Sequence, residues 1–212
     1  MFVTFEGGEG SGKSTQARVL AERLQATARG VTLTREPGGT PLGEAVRSLV
    51  LHRAAGEGGP AVDVGDTAEL LLFAASRAQL VETVIRPALA RGDVVVCDRF
   101  TDSTVAYQGF GRGISLDVVA RANVIATQGL IPDITVLLDL PAELGLARRL
   151  GERAADQIER EALAFHTRVR EGFLALAGAE PHRFLVVDGT RPPGVIADEI
   201  RRQITSLLER QR

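Results

Sequence analysis

The chain has 212 residues, 44% hydrophobic and 25% charged, with a formal net charge of -2. These values fit a folded chain with a real core, and they exclude a disordered tail and a basic nucleic-acid coat. One cysteine, Cys97, excludes an internal disulfide framework, and three scattered histidines give no zinc-ligand spacing. No run reaches the roughly 18 apolar residues of a membrane span, and the N-terminus lacks the charged-then-apolar pattern of a leader. The expectation is a cytoplasmic protein without membrane or nucleic-acid partners, in which any metal arrives with a nucleotide.

In chain order, the apolar run FVTFEG at 2–7 predicts a first buried strand, and a helical pattern follows over 13–28. Between them, GGEGSGKST at 7–15 places Gly7, Gly12, Lys13 and Ser14 at phosphate-loop spacing, after a strand and before a helix. Glycines let successive backbone N–H groups turn inward, and the helix start adds positive potential. Lys13 can reach the β- and γ-phosphates of ATP, and the Ser14 hydroxyl can ligate Mg2+. Lys13 is the single lysine among 25 Lys and Arg residues. A compact ammonium is kept where a broad guanidinium would not enter. The predicted ATP-binding set is Gly7, Gly8, Glu9, Gly10, Ser11, Gly12, Lys13, Ser14 and Thr15, with Glu9 an unexpected acid in an anion cradle. The alternative is a glycine-rich turn with a chance lysine. The G-x-G-x-G spacing argues against a dinucleotide turn, and a guanine-reading Asn-Lys-x-Asp element is absent.

VTLTRE at 31–36 predicts the second strand, followed by helix over 42–52 and a Gly/Ala-rich surface loop over 52–66. A long helix over 66–91 stops at Gly92, and VVVCDR at 94–99 is the third strand. Asp98 and Arg99 fall at a strand C-terminus, where such sheets open into their binding crevice. Asp98 can hold the magnesium shell, directly or through water, while Arg99 faces phosphates; a structural ion pair at the strand end is the alternative. Thr104, Tyr107 and Gln108 follow at i, i+3, i+4, a hydrogen-bonding row that suits a base edge. Helix over 115–128, strand ITVLLDL at 134–140, helix over 141–178 with a break, strand FLVVDG at 184–189 and helix over 192–211 complete the chain. The charged stretch 148–160, RRLGERAADQIER, reads as an insertion able to cover a site. The β-α-β alternation predicts one α/β domain around a parallel sheet.

VCDRFTDSTVAYQ, together with TREPGGTPLGEAVRSLVL and LLLFAASRAQLVETVIRPAL, resembles the thymidylate kinase family, in its bacterial form with an arginine-bearing lid. The resemblance covers essentially the whole chain. It implies a P-loop nucleoside monophosphate kinase fold, a five-stranded parallel sheet in the order 2-3-1-4-5 flanked by helices, with a lid at about 148–160. It implies transfer of the ATP γ-phosphoryl group to dTMP in dTTP biosynthesis, with Mg2+, by a homodimer.

The same resemblance distributes roles. Phe73 would stack on thymine, Arg77 would donate to a base oxygen, Thr104 would meet N3 and Tyr107 would crowd the 2′ position, with Gln108 beside them. Arg35, Arg47 and Arg99 would clamp the acceptor phosphate, Pro37 would fix the loop beside the monophosphate, and Glu9 would face the sugar near its 3′-hydroxyl. Arg191 would lie against adenine. The catalytic set is Lys13, Arg99 and a lid arginine. Many relatives read Asp-Arg where this chain reads Asp156-Gln157, which leaves Arg148, Arg149 and Arg153 all as candidates. On the residues alone, Phe73 can be plain core, Arg47 a solvated helix face, Glu9 a solvent-facing carboxylate and Arg191 part of a structural turn. Two other functions stay open at this level: a kinase of another nucleoside or nucleotide, and a nucleotide-binding module that does not turn over.

Overall fold

The computed structural model describes the chain except residues 28–29, 52–63, 151–159 and 211–212. Most of the expected surface loop at 52–66 and most of the expected lid therefore lie outside the described residues, and Asp66 already belongs to a helix. Five strands, β1 (Phe2–Glu6), β2 (Val31–Arg35), β3 (Val94–Asp98), β4 (Ile134–Asp139) and β5 (Phe184–Asp188), form one parallel sheet in the order β2-β3-β1-β4-β5. The three central strands are buried on both faces, which is why their sequences are continuous apolar runs.

Alternation along each strand divides the core in two. Val3 and Phe5 of β1, Val96 of β3 and Val136 and Leu138 of β4 face α1 (Lys13–Gln25) and the C-terminal α9 (Pro193–Arg210). On the opposite face, Phe2, Val95 and Cys97 pack on Leu80, Ile85 and Phe100, while Leu137 meets Val169 and Phe173 of α8 (Arg160–Ala179). Thr4, Glu6 and Thr135 also point to that second face and are fully buried. Arg183 and Asp102 satisfy Thr135, whose hydroxyl in turn lies 2.8 Å from that of Thr4.

α2 (Pro41–Leu51) follows β2, and the long helix predicted over 66–91 is three pieces. α3 (Asp66–Leu80) runs into a π-helical stretch, Val81–Ile85, and then α4 (Arg86–Ala90). Pro87 cannot donate to residue 83 and its ring crowds that carbonyl, so a widened turn replaces regular helix there. After β3, α5 (Thr101–Thr104) continues as a second π-helical stretch, Val105–Gly111. This corrects the regular helical turn expected at residues 104–108. Two glycines permit the close approach: a Cβ at Gly111 would meet the Phe165 ring at 2.6 Å, and one at Gly109 would meet Leu116 at 2.7 Å. α6 (Leu116–Thr127) packs on α3, and α7 (Ala142–Leu150) follows β4.

Candidate active site

The chain's direction across the sheet reverses beside β1, so a crevice opens at the C-terminal ends of the central strands. A cleft of about 710 Å³ lies there. Its walls come from the loop after β1, the turn after β3, α2, α3 and the π-helical stretch.

The loop after β1 needs glycine at its first turn. Gly7 has φ 138°, and a Cβ there would stand 2.5 Å from the Leu138 carbonyl oxygen of β4. Gly12, at φ 93°, caps α1 with no side-chain hydrogen bond, and the first turn of α1 holds no acid. The helix start thus keeps N–H donors and positive potential available to an anion. Gly10, Gly12, Lys13, Ser14 and Thr15 line the cleft, while Gly7, Gly8 and Ser11 shape the loop behind them. Lys13 Nζ donates to the Gly8 carbonyl at 2.6 Å and to Ser11 Oγ at 3.2 Å. Burial, and then the Arg99 charge, lower its ammonium to about 7 against the pull of Glu9, Asp98 and Glu6.

Ser14 Oγ donates to Asp98 Oδ2 across the cleft, and Asp98 Oδ1 is buried with no partner among the described residues. A hydroxyl and an under-satisfied carboxylate are hard oxygen donors, a pair that fits Mg2+ with substrate phosphates completing the shell. No group of three or more acidic, His or Cys side chains offers a complete protein cage among the described residues.

Arg99 leaves β3 at φ 72° and turns across the phosphate loop. Its Nη2 donates to Glu9 Oε1 at 2.9 Å and to the Tyr107 hydroxyl at 3.2 Å, and Nη1 donates to Ser103 Oγ at 3.1 Å. The cation also covers the Tyr107 ring, 4.9 Å from its centroid. At this strand end Arg99 forms an ion pair with Glu9, while Asp98 engages Ser14. Tyr107 in turn donates to Glu9 at 3.1 Å. Burial raises the Glu9 carboxyl, but Arg99, Lys13, Arg149 and the Tyr107 hydrogen bond outweigh it and hold the group below the usual range. Burial lifts the Tyr107 phenol to about 12 against the Arg99 charge.

Glu6, which sequence reasoning passed over, fixes this turn from below. Its Oε1 accepts from the N–H groups of Phe100 at 2.7 Å and Ser103 at 3.2 Å, and its Oε2 from Ser103 Oγ at 2.5 Å. Burial, and then Asp102, push its carboxyl up to about 8, opposed by Ser103, Arg99 and the Phe100 N–H. The available signal was an acid closing an otherwise apolar buried strand.

At the far end of the cleft, Phe73 is half-buried and belongs to none of the three apolar clusters. Arg77, one helical turn on, is 2% exposed. It donates to Glu36 Oε2 at 2.8 Å, Asn123 Oδ1 at 2.6 Å, the Phe100 carbonyl at 3.2 Å and Thr104 Oγ1 at 2.8 Å. Nη2 also lies 2.7 Å from Glu36 Oε2, and among the described residues one of the five N–H groups, on Nη1, has no protein partner. Glu36 keeps Oε1 buried and without a partner among the described residues; burial raises its carboxyl and Arg77 opposes this. Thr104, Tyr107 and Gln108 all line the cleft despite the π-helical geometry.

Arg35 and Arg47 line the same cleft beside Pro37. Arg35 is held by Glu44 at 3.0 Å, and Arg47 donates to the Pro37 carbonyl at 3.0 Å. Arg149, on the last turn of α7, reaches within 3.7 Å of Glu9 and lines the cleft. Arg148 turns instead to the Gly189 carbonyl at 3.0 Å, and Arg191 pairs with Glu199 of α9 at 2.5 Å. Neither lines the cleft. Arg153 lies outside the described residues.

The family model described as thymidylate kinase matches residues 5–200. The thymidylate kinase of Deinococcus radiodurans is 52% identical over 200 residues, covering 94% of each chain. That of a Synechococcus strain is 54% identical over 200 residues, covering 94% of this chain and 93% of its own. The crystal structure of thymidylate kinase from Ehrlichia chaffeensis superposes with a TM-score of 0.73 at 35% identity, covering 98% of both chains. On sequence and fold alike, the chain belongs to the thymidylate kinase family.

Proposed function

We propose that the protein transfers the γ-phosphoryl group of ATP to dTMP, giving dTDP and ADP, as one cytoplasmic P-loop kinase domain that works as a homodimer. One observation carries the reading: a phosphate loop and an arginine-lined, base-sized recess share a single cleft. Family membership at about half identity over nearly the whole chain supports it.

The backbone of residues 7–15, the start of α1 and Lys13 bind and orient the triphosphate. Ser14 and Asp98 would hold Mg2+, which supplies charge neutralisation between phosphates when bound. Arg35, Arg47 and Arg99 hold the acceptor phosphate close to the donor against the repulsion of two polyanions. Phe73, Arg77, Thr104 and Gln108 orient the base, and Tyr107, tied to Glu9 and Arg99, occupies the sugar side. A phosphate oxygen of dTMP attacks the γ-phosphorus in line, the bond to the ADP oxygen breaks, and no covalent enzyme intermediate forms. The acceptor phosphate is ionised near neutral pH, so no strong general base is needed. Arg149, 3.7 Å from Glu9, would add charge stabilisation at the transferring group.

The homodimer reading is supported by apolar side chains that α3 and α6 leave open, Leu71 at 59%, Val124 at 62% and Ile125 at 78% exposure. No helix among the described residues is long and apolar enough to cross a membrane.

ADP formation measured with dTMP, dUMP, dCMP and thymidine tests the activity. Turnover strictly dependent on dTMP is expected. ADP release indifferent to the acceptor, or preference for unphosphorylated thymidine, overturns the reading.

A further inference from the structure

Glu69 is buried on α3 and lines the cleft. It stands four residues before Phe73 and eight before Arg77, on the same stripe of the helix. Its Oε1 accepts from Gln108 Nε2 at 2.8 Å, and its Oε2 faces Arg112 Nη2 at 3.3 Å. Both carboxylate oxygens thus act as acceptors, one for the amide and one for the guanidinium. Glu69 therefore settles which way the Gln108 amide turns, with the NH2 group toward Glu69. Gln108 is 4% exposed and lines the cleft, so the amide has little freedom to escape this choice. The carbonyl oxygen, an acceptor, is thereby turned to the side away from Glu69, with the second N–H beside it.

We infer that Glu69 is a positioning residue for base selectivity: by pinning the Gln108 amide, it makes this part of the recess a hydrogen-bond acceptor for the N3–H of an imide pyrimidine. Thymine and uracil carry that hydrogen. Cytosine presents a bare lone pair at N3, and two acceptors then face each other with neither satisfied. The last free N–H of Arg77 acts in the same sense, since it meets the O4 of thymine but the amino group of cytosine. A site that hydrogen-bonds its ligand discriminates more strongly than one that only encloses it. The inference rests on the acceptor reading proposed above.

The test uses dissociation constants for dTMP and dCMP by titration calorimetry, with turnover measured on both, for wild type, Glu69→Gln, Gln108→Ala and the double variant. An amide at position 69 can offer either face, which frees Gln108 to turn over. Glu69→Gln should reduce the dTMP-to-dCMP affinity ratio about tenfold. In the Gln108→Ala background the same substitution should leave the ratio unmoved, because the pinned group is gone. A purely structural role for Glu69 would weaken both nucleotides together and keep the ratio. An unchanged ratio in Glu69→Gln overturns the inference, as does an equal fall with and without Gln108. Should Glu69→Gln not fold, a ratio that survives Gln108→Ala overturns it by itself. Selective binding of dTMP without dTMP-dependent ADP formation defeats the phosphotransfer reading and leaves the pin standing. Unselective binding with full turnover defeats the pin alone, and no binding of dTMP defeats both.

Discussion

Arg99 Nη2 lies 2.9 Å from Glu9 Oε1, so the arginine that ends β3 is held by the acid of the phosphate loop. This contact crosses the cleft at the place where donor and acceptor phosphates would meet. A lysine at position 99 keeps the charge but not the planar fork that reaches Glu9, Tyr107 and Ser103 together. Arg99→Lys should reduce kcat/KM for dTMP by about 100- to 1,000-fold. Steady-state kinetics in both substrates check this, and turnover near the wild-type value contradicts it.

Glu9 is predicted to serve the acceptor more than the donor. Glu9→Gln retains the shape but loses the charge that orients Arg99 and Tyr107. KM for dTMP should rise about tenfold while KM for ATP changes far less. Equal increases for both substrates would return Glu9 to the cradle.

Glu6 links stability to pH. Its carboxyl is lifted from 4.5 to about 8, so between those values the folded protein holds a proton that the unfolded chain has released. That contribution is fully present below the unfolded value and is lost as pH rises through the folded one. Urea unfolding at about pH 6 and about pH 7.5 should show lower stability at the higher pH, by up to about 1.4 kcal/mol per unit from this group. Glu6→Gln should flatten the slope. A slope unchanged in the variant assigns the effect elsewhere.

Phe73 separates stacking from packing. Because its ring stands outside the apolar clusters, Phe73→Ala should raise KM for dTMP about tenfold, a base-stacking loss, with Tm moved by no more than about 3 °C. A large fall in Tm with KM unchanged would make the ring core after all.

Asp102 and Arg183 form a buried fork, at 2.7 and 2.9 Å, that ties the turn after β3 to the start of β5. Asp102→Ala removes one of the two carboxylates on Arg183, leaving Glu180 at 2.8 and 3.0 Å, and should cost about 2 kcal/mol in urea unfolding. Adding Arg183→Met should restore part of that loss. A double variant less stable than the single one contradicts the account.

Much of the frame was readable because burial on both faces leaves a continuous apolar run, and every predicted strand formed within a residue or so. The phosphate loop was readable because its glycines answer local needs, a left-handed turn at Gly12 and a close carbonyl at Gly7. The π-helical stretches were not, since period alone does not distinguish a widened turn from a regular one. Asp98 and Arg99 were legible as charges at a strand end, but their partners were not. Glu9 on the phosphate loop and Ser14 on the first turn of α1 come near only through the sheet. Glu69 carried the i, i+4, i+8 spacing to Phe73 and Arg77, yet an acid in an apolar helix has meaning only once Gln108 is seen against it.

Arg77 gives the recess a stiff wall. With four protein acceptors already engaged, the guanidinium cannot swing aside for a bulkier ring without abandoning several charge-assisted bonds at once. Elsewhere the recess is softer, because Phe73, one turn away on the same helix, is only half-buried and Arg35 is half-exposed with a surface partner. An inhibitor built on thymine should therefore keep its Arg77 edge unadorned and grow toward the mouth, where side chains can move to receive it.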